Sequence, residues 1–382
     1  MADNPDDGGG PVLLLARADP QAAGSGRSRP GVKAPLLETF TRLITNTGPI
    51  SVSHYMAESN AHYYGGRDPF GAAGDFITAP EISQMFGELI GLWLADIWIR
   101  AGRTEPVHYV ELGPGRGTLA RDALGAARRY GLDPRVHFVE TSTSLKALQL
   151  EMHPQAFWHA DLSTLPSDGP LLIVANEFLD ALPVRQLVRT AAGWRERMVG
   201  LDEGRLVPVA GTAPMEVAVP TSRRDAPEGT ILEISPASAA VVYEVAGRLA
   251  TQGGAALFID YGHAEPRFGS SLQAVRAHRK VDVFSAPGEA DLTAHVDFSA
   301  LAPIALSRGV RWLGTEEQGH WLRSLGIDAR ADALAAAAPL HAEAVRTARD
   351  RLTGEGQMGA LFKVMGITAP DWPDGAGFER TD

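Results

Sequence analysis

From residue 35 onward the apolar positions keep two rhythms. Pro35 opens a helical spacing (LLETFTRLITNTG) that Gly48-Pro49 ends, and residues 62–76 (HYYGGRDPFGAAGDF) read as a glycine- and aromatic-rich loop. A helix is predicted from Thr78 to about Ala101, with Thr78 and Glu81 spaced as a capping box and Pro80 tolerated in its first turn. Short apolar runs then alternate with helical segments: Val107–Leu112, Val136–Glu140, Phe157–Ala160, Leu171–Ala175 and Ala255–Tyr261 as strands, with Leu145, Leu148 and Met152 sharing one face of a helix between the second and third. Such alternation predicts an α/β fold with a parallel sheet covered by helices on both faces. Val184–Leu232 breaks the rhythm with short alternating runs (VRQLVRT, WRERMVG, RLVPVA), predicting a small antiparallel insertion. Val310–Gly314 and Leu361–Gly366 complete the strands, with an Ala-rich helix at Ala331–Ala348 between them.

These rhythms divide the chain into a disordered tail (1–33), a single large domain (34–367) and a flexible tail (368–382). Within the domain they mark a helical lid (34–103), a core (104–183 and 233–265), the insertion (184–232) and a C-terminal lobe (266–367). Hydrophobic residues at 45% and charged residues at 21% are those of a water-soluble globular chain. The net charge of −11 argues against nucleic-acid binding, which needs clustered Lys and Arg. The longest apolar helix candidate, Ile90–Ile99, is interrupted by Asp96 and too short to span a bilayer, so no membrane span is expected. The absence of cysteine excludes disulfides and thiolate sites and fits a reducing compartment, giving a cytoplasmic assignment.

The cofactor class is set by VELGPGRGTL, Val110–Leu119. A strand ends, glycines follow at 113, 115 and 117, and a helix begins, a pattern that brings backbone close to a ligand. A dinucleotide fingerprint would place its third glycine one residue later, and Glu111 ahead of the loop is awkward for a pyrophosphate but apt for a cationic amino-acid ligand. Pro114 removes an N–H from any phosphate cradle. The register resembles motif I of the S-adenosylmethionine-dependent methyltransferases, with an NAD-dependent dehydrogenase as the competing reading. Glu140, at the end of the second strand, falls where Rossmann-like sheets bind ribose hydroxyls. Asp161, with Leu162, follows the third strand, where these methyltransferases meet adenine.

Ligands of open α/β sheets lie beyond the C-terminal strand ends, where this chain places NEFLDALP (176–183) and DYGH (260–263). Glu177 and Asp180, three residues apart, are the candidates to bind and polarise an acceptor such as a guanidinium, and His263 is a candidate base. In GEADLTAHVDFSAL (288–301), Asp291 and His295 add polar groups, and Asp297 is placed to cap a helix. No histidines have metal-ligand spacing, and metal catalysis is not expected.

GDFITAPEISQMFGELIG, VELGPGRGTL, NEFLDALPV, DYGH and ADLTAHVDF occur in this order in the MidA-like methyltransferases, which the chain resembles over roughly Leu36–Gly366. The resemblance implies a class I, Rossmann-like fold of seven mostly parallel strands with a substrate-covering lobe. It implies S-adenosylmethionine as cofactor, held by Gly113, Gly115, Gly117 and Glu140, with Glu177 and Asp180 toward the acceptor. It further implies a protein arginine as acceptor, on a respiratory-complex-type subunit. Glu111, Asp161, Leu162, Asn176 and Thr78 complete the expected cofactor set, with Asp75 contributing from a lid and Phe76 walling the pocket. A small-molecule acceptor, a non-catalytic assembly role and a homodimer are the alternatives carried alongside.

Overall fold

A computed structural model of the chain describes residues 35–65 and 78–378. Asp75 and Phe76 lie outside the described residues. The core is a sheet of β1 (His108–Leu112), β2 (Arg135–Val139), β3 (Phe157–His159), β4 (Leu171–Asn176), β5 (Gly254–His263), β6 (Arg311–Glu317) and β7 (Phe362–Thr368). Their spatial order is β6-β7-β5-β4-β1-β2-β3. β1 to β5 run parallel, and β7 lies antiparallel between β5 and β6. Val296–Asp297 pairs with the end of β5 as an eighth strand. Every residue of β1 and β4 is buried, as expected of central parallel strands. The chain reverses its direction of travel across the sheet between β1 and β4, so a crevice opens beyond their C-terminal ends.

Four helices precede or flank this crevice: α1 (Pro35–Thr47), α2 (Val52–Gly65), α3 (Ala79–Ile82) and α4 (Gln84–Arg100). α1 ends as expected at Gly48, whose φ of 86° and N–H bond to the Ile44 carbonyl make a left-handed stop. The predicted helix from Thr78 divides in two. Ser83 is extended (φ −163°) and caps α4 through the Met85 N–H. Thr78 makes no side-chain cap, and Glu81 accepts instead from the Thr118 hydroxyl at 2.6 Å, so no capping box forms. The Ala-rich helix also divides, into Ile327–Ala337 and Ala342–Thr353, at Pro339, which cannot supply the N–H a continuous helix needs.

α4 crosses tightly over α5 (Thr118–Ala127), the helix that opens at the glycine loop. Gly91 makes the crossing possible: a Cβ there would lie 2.0 Å from the Ala123 carbonyl oxygen. The remaining face of α4 is apolar nearly all round, with Phe86, Ile90, Trp93 and Trp98 buried, and joins the core packed on one side of the sheet. Among the described residues no helix is long and apolar enough to cross a membrane.

Residues 185–234 contribute four strands to a five-stranded antiparallel sheet, completed by Ile50–Ser51. A three-stranded sheet (Gln273–Arg276, Arg279–Val281, Asp291–Thr293) adjoins the end of β5. The tail expected to be flexible from residue 368 is docked as far as Phe378. Trp372 is buried, the Trp93 indole donates to the Ala376 carbonyl at 3.0 Å, and Phe378 packs on Trp93 and Trp321. Two aromatic anchors in a Pro- and Gly-rich stretch outweigh its lack of regular periodicity.

Three imidazoles form a hydrogen-bonded row across β1, β2 and β3. His108 Nε2 contacts Asp168 at 2.9 Å, His108 Nδ1 meets His137 Nε2 at 3.0 Å, and His137 Nδ1 meets His159 Nε2 at 3.0 Å. His159 Nδ1 then meets the Thr164 hydroxyl at 2.8 Å. Burial depresses all three, His137 to about 4.

Candidate active site

Beyond β1 the glycine loop turns through three left-handed residues, Gly113 (φ 65°), Gly115 (54°) and Gly117 (85°). Any side chain at 113 would strike the Phe178 ring, 2.8 Å from an ideal Cβ, so the loop and the 176–183 turn are fitted to each other. Between them opens a cleft at the C-terminal ends of β1 and β4. It is lined by Thr78, Glu111, Gly113, Gly115, Asn176 and Glu177, all expected from the sequence, and by Pro80, Glu81, Pro114, Arg116, Thr118 and Leu119, which were not. The missed residues belong to α3 and the start of α5, whose approach depends on the helix crossing at Gly91.

Glu111 is 3% exposed and accepts from the Tyr109 phenol at 2.7 Å. Burial raises it to about 8, against the opposing effect of the Tyr109 and Ala120 hydrogen bonds. Glu140 is buried at the end of β2, where one oxygen accepts from the N–H groups of Thr141 and Ser142, both at 2.7 Å. Burial raises its pKa and those bonds oppose the rise.

The 176–183 turn gathers acids: Asp180 and Asp260 are buried and Glu177 is half-buried. Glu177 stands in the left-handed region (φ 51°), unusual for a residue with a Cβ and frequent where a site holds strain. Its Oε1 accepts from the Ala79 N–H at 3.1 Å and from Asn176 Nδ2 at 3.2 Å. Burial lifts it to about 7, and the Asp180 charge adds to the rise. Asp180 is lifted by burial to about 6, with the neighbouring Tyr261 hydroxyl opposing the rise. Asp260, absent from the expected set, organises the turn: Oδ2 accepts from the N–H groups of Phe178, Leu179 and Asp180 at 3.1, 2.9 and 3.2 Å. Burial and then the Asp180 and Glu177 charges push its carboxyl well up. Its signal was its position at the end of β5, where Ile259 pairs with Asn176.

Asn176 Nδ2 donates to Glu177, while its Oδ1 is buried against the cleft with no hydrogen-bond partner. An unsatisfied buried acceptor beside paired acids suits a ligand bearing N–H or ammonium groups, so the donor set fits a cationic amino-acid cofactor.

Glu140 and Asp180 stand off the cleft lining, and so do four more of the expected site residues, His263, Asp161, Leu162 and Gly117. His263 is held by the Glu265 carbonyl at 2.6 Å and approaches Asp297 at 3.6 Å, because the end of β5 pairs with Val296–Asp297 and turns away from the cleft. Asp161 is exposed and caps the Leu162–Thr164 turn through the Ser163 N–H at 2.8 Å, while Leu162 packs into the core. Gly117 caps α5 against the His153 ring. Asp297 also caps its helix, through the Ala300 N–H. Among the described residues no three His or carboxylate groups are arranged to hold a metal.

The sheet order and the glycine cleft are those of class I methyltransferases. The chain belongs to an S-adenosyl-L-methionine-dependent methyltransferase family, whose model matches residues 89–316. It is 37% identical to the protein arginine methyltransferase NDUFAF7 homolog, mitochondrial, of Drosophila melanogaster, over 94% of this chain and 90% of that protein. It is 34% identical to the human protein arginine methyltransferase NDUFAF7, mitochondrial, over 91% and 86%. A Burkholderia thailandensis crystal structure bound to S-adenosyl-homocysteine matches with a TM-score of 0.78 and 30% identity, covering 92% of this chain and 96% of that one. The cytoplasmic assignment is overturned, since these curated relatives are named mitochondrial. The lack of cysteine on which it rested distinguishes reducing from oxidising surroundings and not one reducing compartment from another.

Proposed function

We propose that this enzyme methylates an arginine of a partner protein, a subunit of a respiratory complex. The observation that carries the reading is the pair of carboxylates, half-buried Glu177 and buried Asp180, on one turn beside the cleft. The names of the relatives support it. In this reading Glu111 and Asn176 Oδ1 meet the ammonium end of the cofactor, the glycine loop lies along it, and Glu140 takes the ribose hydroxyls. Bound S-adenosylmethionine supplies an electrophilic methyl group on a sulfonium. Glu177 and Asp180 bind the guanidinium through its N–H groups, orient one nitrogen toward that methyl, and accept the proton the nitrogen releases. Their raised pKa values suit groups that change protonation near neutrality.

The test is methyl transfer from labelled S-adenosylmethionine to arginine-containing proteins in an extract from a strain lacking the gene, with methylarginine read by mass spectrometry. Label on one protein's arginine, lost with Glu177→Gln while cofactor affinity is kept, is the expected result. Label found only on small molecules would refute the protein substrate.

A further inference from the structure

Helix α2 carries a side chain that reaches the 176–183 turn from outside the core sheet. Asn60 is buried, and its two N–H groups and its oxygen are all engaged. Nδ2 donates to the Ala181 carbonyl at 3.0 Å and to the Leu292 carbonyl at 2.8 Å, and Oδ1 accepts from the Leu292 N–H at 3.1 Å. Reversing the amide would set an oxygen against two carbonyls, so these partners fix its orientation. The helix itself is anchored at both ends. The Tyr55 phenol donates to the Val283 carbonyl at 2.6 Å and the Tyr64 phenol to Asp291 at 2.8 Å. The Tyr64 carbonyl accepts from the hydroxyl of Ser142, just beyond Glu140, at 3.0 Å.

We infer that Asn60 is a positioning residue for methyl transfer: it ties the far end of the turn that bears Glu177 and Asp180 to the strand Asp291–Thr293. The inference rests on the reading that these two carboxylates serve the acceptor. The start of the turn is held from the core sheet. The Glu177 N–H donates to the Ile259 carbonyl at 2.9 Å, and Asp260 takes the N–H groups of Phe178, Leu179 and Asp180. Past them the chain is held by its carbonyls instead, Asp180 by the Ala294 N–H at 3.0 Å and Ala181 by Asn60. Glu177, with a φ of 51°, needs such fixing, since a residue with a Cβ keeps a left-handed backbone only where its surroundings over-determine it. Removing the carboxamide leaves the Ala181 carbonyl and both backbone groups of Leu292 without these bonds, and the turn gains freedom at its Asp180 end. A carboxylate so displaced no longer aligns the acceptor nitrogen with the methyl group. Asn176, at the head of the turn, is fixed separately by the pairing of β4 with β5, so the cofactor side is spared.

The experiment compares Asn60→Ala, and Asn60→Ser as a milder change that keeps one donor, with Tyr55→Phe, which removes a hydrogen bond of the same helix that does not reach the turn. Three quantities are measured on the full chain. These are S-adenosylhomocysteine affinity, hydrogen–deuterium exchange by segment, and the initial rate of labelled methyl transfer to protein arginine in an extract from a strain lacking the gene. Expected for Asn60→Ala are affinity within about twofold of the wild type, transfer about tenfold slower, and faster exchange in residues 176–183 and 291–293 with residues 108–112 unchanged. Asn60→Ser moves the same quantities by less, and stands in for Asn60→Ala if that variant does not fold. Tyr55→Phe lowers the urea midpoint and leaves exchange in 176–183 and the transfer rate at wild-type values, as a purely structural contact does. Exchange in 176–183 that keeps its wild-type rate in the folded Asn60 variants, or rises only together with residues 108–112, overturns the inference. A local rise in 176–183 while the wild type labels small molecules alone upholds the positioning of the turn and removes the arginine reading instead.

Discussion

Glu111 makes cofactor binding a protonation event. Its carboxyl is buried below the glycine loop, accepts from the Tyr109 phenol, and is raised by burial to about 8. An ammonium group placed beside it requires the ionised form. The apparent dissociation constant is then the intrinsic one divided by the ionised fraction, about 3% at pH 6.5 and about 24% at pH 7.5. That is an ~8-fold tightening over one pH unit, reduced to about fivefold because a free α-amino group itself begins to deprotonate near 7.7–8.0. Calorimetry of S-adenosylhomocysteine binding in two buffers of different ionisation enthalpy measures both quantities, with about 0.8 protons released per ligand at pH 7 once the amine's own uptake is counted. Glu111→Gln binds more weakly and loses the acid-side dependence. Equal pH slopes in the wild type and Glu111→Gln, or no proton release, would refute the placement of the ammonium at Glu111. The same burial affects folding: with the folded pKa raised above the usual 4.5, stability present below pH 4.5 is lost as the pH rises through 8.

Three further outcomes follow from packing and charge. Gly91→Ala places a methyl 2.0 Å from the Ala123 carbonyl oxygen, so α4 and α5 must part. Urea unfolding is expected to show a loss of about 3 kcal/mol, with weakened S-adenosylhomocysteine binding because α5 carries the glycine loop. His137, depressed by burial to about 4, resists the proton that the unfolded chain accepts near 6.5. Stability present above pH 6.5 is therefore lost as the pH falls to 4, by about 2 kcal/mol from this residue after allowance for screening, and His137→Asn flattens that limb in denaturant titrations. Trp372→Ala removes a buried anchor of the docked tail and costs about 3 kcal/mol, with S-adenosylhomocysteine affinity unchanged.

The glycine loop and its flanking strand and helix were legible in the sequence because local rules dictate them. A strand, three glycines that must turn left-handed and a helix occupy ten consecutive residues, and the acids Glu111 and Glu140 follow from strand ends. The other side of the cleft was legible only as a turn, NEFLDALP. Asp260 holds that turn across the pairing of β4 and β5, through contacts between residues 80 to 82 positions apart. His263 and Asp161 misled for the same reason. Their place at a strand end was right, but the eighth strand and the Leu162–Thr164 turn had already engaged them. The two helix breaks went unseen because Ser83 and Pro339 each sit in a helical apolar spacing that continues past them.

The row of imidazoles has a consequence for the turn that follows β3. Asp168, ionised, can only accept, so His108 must present its Nε2 proton to it and turn an accepting Nδ1 toward His137. The same choice is then forced on His137 and on His159, and the Thr164 hydroxyl is left as the terminal donor. All three rings hold one tautomer and their dipoles add along the row. A carboxylate on the loop before β4 thus dictates, across the width of three strands, which way a hydroxyl points in the turn that Asp161 caps. Replacing Asp168 by a residue that can also donate would free the whole row to reverse.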